Sequence, residues 1–206
     1  MADSDKHQEL YDASSAGDDS RVRELLTADG SDPDEYKDAN GWTALIVAAR
    51  NGRKSTVSIL IQHGADLNIQ NDFGQTSLHL AAGRGNNKVT TTLIEAGADL
   101  NIQNNLGQTA LHWAAAYGRN NVTSTLIDAE ADLNIKNHAG QTSLHLAAAY
   151  GKNEITTRLI EAGADLNIQN IDGKTALEGE NEITRTLIKA GADLNIQNNE
   201  DADTSG

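Results

Sequence analysis

A 33-residue period constrains this chain more than any other feature. The string GADLNIQN begins at Gly64, Gly97, Gly163 and Gly191, and the variant EADLNIKN begins at Glu130, so successive steps are 33, 33, 33 and 28 residues. A second block keeps the same register. It reads GQTSLHLAA from Gly74, GQTALHWAA from Gly107 and GQTSLHLAA from Gly140, with diverged copies GWTALIVAA from Gly41 and GKTALEGE from Gly173. Two strings locked in one register make the chain a repeat array. A single unit cannot bury its own apolar face, so stability comes from stacking on neighbours.

Residues 71–103 show how one unit reads. Thr76 is a candidate N-cap, since its hydroxyl can accept from a backbone N–H of the first turn. Leu78, Leu80, Ala81 and Ala82 then form a short inner helix, ended by Gly85. Asn86 or Asn87 offers a cap for a second, outer helix, on which Val89, Leu93 and Ile94 share one face until Gly97 stops it. The Asn, Asp and Gly between units suit tight turns and an extended hairpin finger. The outer helices are rich in Thr, at 90–92, 123, 125, 156, 157, 184 and 186. Thr is an indifferent helix former, so these helices depend on stacking.

A 33-residue unit with T-x-L-H-x-A-A, a Gly after the inner helix and L-I-x-x-G-A-D-x-N resembles the ankyrin repeat family. The resemblance covers about residues 38–197 and implies an all-α repeat solenoid, a stack of helix–turn–helix units with hairpin fingers. A tetratricopeptide array has a similar period but lacks the Gly-Ala-Asp finger. One departure is systematic. Where the family often has Pro after the capping Thr, this chain has Ala44, Ser77, Ala110, Ser143 and Ala176, which loses some pre-organisation of that turn. The expected organisation is a capping helix pair and loop over 1–37, then five repeats at 38–70, 71–103, 104–136, 137–169 and 170–197, then a disordered tail at 198–206. The cap reads as helices over Glu9–Gly17 and Asp19–Leu26. The fifth repeat lacks five residues where its inner helix should lie, which predicts at most one turn over Thr175–Gly179 and a covering helix near 181–190, or else one bent helix spanning both.

Composition removes several function classes. Sixteen Lys and Arg stand against 30 Asp and Glu, a net charge of −14, which argues against nucleic acid and against an anionic membrane surface. The absence of Cys removes disulfides, thiolate nucleophiles and Cys-ligated zinc. No apolar run approaches membrane-spanning length, and the polar start MADSDKHQEL is unlike a signal peptide. The expectation is a soluble cytoplasmic protein, with leaderless secretion as the alternative.

Columns of identical residues read as structure before chemistry. His79, His112 and His145 fall one per repeat. Helices packed roughly 8–10 Å apart keep such side chains from converging on a metal. The resemblance implies instead that each His bonds its Thr and the neighbouring finger. The Asp column (66, 99, 132, 165, 193) lacks the oxygen density of a calcium loop and a partner carboxylate for hydrolysis. It reads as finger bracing, and the Asn column (68, 101, 134, 167, 195) as ladders between fingers. With no phosphate loop and no nucleophile elbow, the sequence points to no enzyme, no cofactor and no metal.

That leaves recognition of a protein partner through the fingertips and the exposed concave face of the inner helices, where the repeats differ. The candidate contact residues are Trp42, Arg50, Asp72, Phe73, Gln75, Arg84, Asn105, Leu106, Gln108, Tyr117, His138, Gln141 and Tyr150. Tyr117 and Tyr150 share a column in adjacent repeats and are the expected aromatic pair. Trp113 replaces Leu80 and Leu146 and reads as core filler. The alternative function is self-association through the exposed C-terminal end, although a monomer is expected. The charge is also uneven. Residues 1–38 carry 12 acids and 4 bases, whereas Arg50, Arg53, Lys54, Arg84, Lys88, Arg119 and Lys152 lie near the helix-to-helix turns of the repeats. On that side an acidic protein partner is the expectation.

Overall fold

Thr recurs where each inner helix must start. Thr43, Thr76, Thr109 and Thr142 all hold an extended N-cap conformation. The Thr43 hydroxyl accepts from Ile46 N–H at 3.3 Å and that of Thr76 from His79 N–H at 3.4 Å, satisfying a first-turn donor that a helix leaves orphaned. The computed structural model describes residues 3–27 and 32–177, together with Glu182 and Thr186. Among the described residues it has ten helices and no strand. These are α1 (Asp3–Ala16), α2 (Asp19–Leu26), α3 (Ala44–Arg50), α4 (Lys54–Gln62), α5 (Ser77–Arg84), α6 (Asn87–Glu95), α7 (Ala110–Ala116), α8 (Asn120–Asp128), α9 (Ser143–Ala149) and α10 (Asn153–Glu161). The first helix begins before Glu9, earlier than the sequence reading placed it.

The helices form two parallel stacks. The inner row α1, α3, α5, α7, α9 packs neighbour on neighbour, and α2, α4, α6, α8, α10 do the same outside it. Leu45, Leu78, Leu111 and Leu144 from the inner row, and Leu60, Leu93, Leu126 and Leu159 from the outer, are fully buried in one continuous core. Each such Leu contributes about 2 kcal/mol of burial. Buried Ala48, Ala81, Ala114 and Ala147 let seven- and eight-residue helices approach closely. Ala176 and Leu177 lie in a turn that packs against this core. The expected cover helix near 181–190 and the tail at 198–206 lie outside the described residues.

One local expectation is corrected. Asn86 does sit at the N-cap of α6, but its side chain makes no cap bond. It donates instead to Ala49 O at 3.0 Å and Arg50 O at 2.9 Å. Arg53 Nε reaches Ser15 O, and Arg119 Nε reaches Gly83 O at 2.9 Å. The last carbonyls of a helix have no intrahelical donor. Each is served here by the following repeat, so the side chain that could cap its own helix ties two units together.

Candidate functional site

The fingers set one wall of the site. In the second repeat Asn71 Oδ1 accepts from Phe73 N–H at 3.0 Å and Gln75 N–H at 2.9 Å, and Gly74 N–H returns to Asn71 O. Asn104, Asn137 and Asn170 repeat this brace, and Asp38 does the same in the first finger. Gly74 sits at φ 71°, and a Cβ there would come within 2.7 Å of Asn105 N. Only glycine lets the next finger lie so close. Successive fingers are joined by Asp72 N–H to Asn40 O, Asn105 N–H to Phe73 O, His138 N–H to Leu106 O and Ile171 N–H to Ala139 O. A second ladder runs through the Asp and Asn columns. Asp66, Asp99, Asp132 and Asp165 brace their own loops, while Asn68, Asn101 and Asn134 accept from Asp99, Asp132 and Asp165 N–H of the next unit.

The buried histidines join finger to helix. Thr76 N–H donates to His79 Nδ1 at 3.2 Å, and the Thr76 hydroxyl lies 2.9 Å from the same nitrogen. His79 Nε2 reaches Gln108 O at 2.9 Å, in the next finger. His112 and His145 repeat the arrangement toward Gln141 O and Lys174 O. The pattern requires a neutral ring that accepts at Nδ1 and donates at Nε2. Burial pushes the His79 imidazole down to about 4, and those of His112 and His145 also go down by burial.

Between this finger wall and the inner helices lies a groove of about 520 Å3. Trp42, Phe73 and Gln75 come from the fingers. Arg50, Leu80, Gly83, Arg84, Trp113, Tyr117 and Arg119 come from the helices and the turns after them. Trp113 is the residue that the sequence reading misplaced. Leu80 and Leu146 are buried in its column, but Trp113 is only half-buried and walls the groove. An indole is too large for a Leu slot. It spills over Gly83, where a Cβ would come 2.6 Å from the indole Cε3. Its Nε1 donates to Gln108 Oε1 at 2.9 Å, and its ring meets His79 and Tyr117 edge-on, at 6.0 and 6.1 Å between centroids. The Arg50 guanidinium lies over the Trp42 ring at 5.1 Å. Phe73 and Tyr117 are each more than half exposed.

A model of ankyrin repeats matches this chain in three overlapping copies, over residues 10–104, 84–170 and 129–198. The chain belongs to the ankyrin repeat family. Ankyrin repeats generally mediate protein–protein interaction and are typically non-enzymatic. The array is also similar to a phosphate system positive regulatory protein of Saccharomyces cerevisiae, 34% identical over 65 residues. That stretch is 32% of this chain and 6% of the yeast protein. Among the described residues of the ankyrin array, no group of three His, Cys, Asp or Glu is placed to hold a metal ion. No described helix is long and apolar enough to cross a membrane.

The ankyrin geometry divides the candidate residues. Trp42, Arg50, Phe73, Gln75, Arg84 and Tyr117 share the groove. Asp72, Asn105 and His138 commit their backbone N–H groups to the finger ladder, and Leu106 is an exposed tip. Gln108 and Gln141 supply the carbonyls that receive His79 and His112. Tyr150 is 60% exposed and is not among the residues that line this groove.

Proposed function

We propose that this ankyrin repeat array is a non-enzymatic binding module whose groove between fingers and inner helices receives a segment of a protein partner. The aromatic wall of exposed Phe73 and Tyr117 with half-buried Trp113 supports this reading. Solvated, half-exposed rings in a preformed concavity are the usual anchors of a protein interface. The finger bonds and the buried His ties hold the wall rigid, so little ordering entropy is lost on binding. The residues 38–197 form the binding body in this reading, and the acidic residues 1–37 its cap. Self-association through the C-terminal unit depends on residues outside those described.

The test pairs a substitution that other repeats already carry with a truncation. Trp113→Leu restores the residue at 80 and 146, and Tyr117→Ala removes an exposed ring. With a protein captured from the native host on the full chain, the double variant should lose at least about tenfold in affinity. Its melting temperature should stay unchanged. Tyr150→Ala, outside the groove, should bind as the parent does. Equal binding by the double variant would move the site elsewhere.

A further inference from the structure

Resting on that reading, we infer that the segment the groove takes is acidic, with carboxylates set beside an apolar side chain. The groove carries three guanidiniums, Arg50, Arg84 and Arg119, and no Asp or Glu among its lining residues. The chain as a whole is at −14. A wall of one positive sign on a strongly acidic protein is a local inversion of charge. None of the three forms an ion pair among the described residues. Arg50 rests on the Trp42 ring, and Arg119 gives only its Nε, to Gly83 O. The Arg84 side chain makes no hydrogen bond among the described residues. The fork-shaped donor faces of all three are therefore unspent, and two are already held in place. A guanidinium fixed by a ring or a carbonyl loses less rotamer freedom when it meets a carboxylate, and its fork matches that group in two parallel bonds.

Arg50 and Arg84 are not required by the fold, whereas Arg119 also ties two repeats. At the Arg50 position the other repeats carry Gly83, Ala116 and Ala149, and at the Arg84 position Asn51, Tyr117 and Tyr150. Where neighbours show that small or neutral residues stack equally well, cations gathered beside an aromatic wall point to a ligand. The wall itself asks for an apolar side chain between the carboxylates. A single-stranded nucleic acid would also stack on rings and pair with Arg. The acidic cap, 12 acids against 4 bases over residues 1–38, repels an extended phosphate backbone but tolerates a short acidic peptide.

The experiment selects a displayed library of random peptides, each about 12 residues long, on the full chain. Clones that also bind the Trp113→Leu/Tyr117→Ala variant are discarded. The retained peptides should be enriched in Asp and Glu flanking a large apolar residue. Their affinity should fall at least about tenfold with Arg50→Glu/Arg84→Glu. Arg84→Lys, which keeps the charge and gives up the fork, should fall between the parent and that double reversal. Binding should also weaken as NaCl rises from about 0.05 to about 0.5 M. Retained peptides without acid enrichment, indifferent to the Arg50 and Arg84 reversals, would overturn the acidic occupant and leave the groove as a binding site. A dT12 oligonucleotide binding more tightly than any retained peptide would overturn it in favour of nucleic acid. No retained peptide at all would overturn the groove reading itself.

Discussion

Glu130 carries a backbone that suits glycine. It stands at φ 62°, where its column elsewhere has Gly64, Gly97 and Gly163, all with positive φ. A Cβ at those three glycines would meet nothing within 4 Å, so the cost at Glu130 is conformational rather than steric. Glu130→Gly should therefore stabilise the array by about 1 kcal/mol, read as a higher urea midpoint with an unchanged slope. A column comparison in the sequence was enough to flag this position. Trp113 was different. Its column predicted core, and only the partial exposure of the ring over Gly83 showed a groove wall. Nothing in the sequence tied a glycine at 83 to an indole thirty residues later, because that fit depends on how two repeats stack.

At the scale of one element, Thr plays two opposite parts. On the outer helices the hydroxyls of Thr90, Thr123 and Thr156 are buried with no hydrogen-bond partner. The first repeat places Val57 at that position, fully buried. An unpaired buried hydroxyl costs about 1–3 kcal/mol against an apolar group of the same shape. Thr90→Val, Thr123→Val and Thr156→Val should each raise stability by about 0.5–1 kcal/mol in chemical denaturation. The effects at 90 and 156, two repeats apart, should add. On the inner helices Thr76→Val should do the reverse and lower stability by about 1–2 kcal/mol. That substitution removes the acceptor for His79 N–H and the donor beside His79 Nδ1. The Thr-rich pattern was visible in the sequence. Which hydroxyls are paired was not, since that depends on what the neighbouring helix presents. The same holds for Asn86, a cap by local rules that the stacked structure turned into a link to the preceding helix.

Across the whole molecule, the His column makes stability depend on pH. The rings of His79, His112 and His145 must stay neutral in the folded array, whereas an unfolded His takes up a proton near its ordinary value of 6.5. The folded-state value is depressed, to about 4 for His79. The stability these residues contribute is therefore complete above pH 6.5. It is lost as the pH falls toward 4, because the unfolded chain binds more protons in that window. Urea titrations from pH 7 to 4.5 should show a decline of the order of 1 kcal/mol per pH unit for His79 alone. A flat profile would mean that the rings are already charged or are solvated in the fold. A protonated Nδ1 would face the Thr N–H that it now accepts from, and the finger of the following repeat would lose its tie. Acid should accordingly loosen several repeats together rather than one at a time.

The repeat period by itself determined the architecture. A 33-residue register of Thr, Leu, His and Gly leaves few ways to bury the apolar positions, and stacking is the one that repeats. The sequence also showed where the repeats differ, and so where a partner could be read. It placed Arg50, Arg84 and Tyr117 among the candidates by that route alone. Only the tertiary structure decided which differing positions face one another. It gathered six of the thirteen candidates with Trp113 and Arg119 into one groove and left Tyr150 outside it. The physical reason is that column identity is local to one repeat, whereas a cavity forms between repeats. Its shape depends on a missing Cβ in one unit, an oversized ring in the next and a guanidinium reaching back from a third segment. No periodicity carries that information.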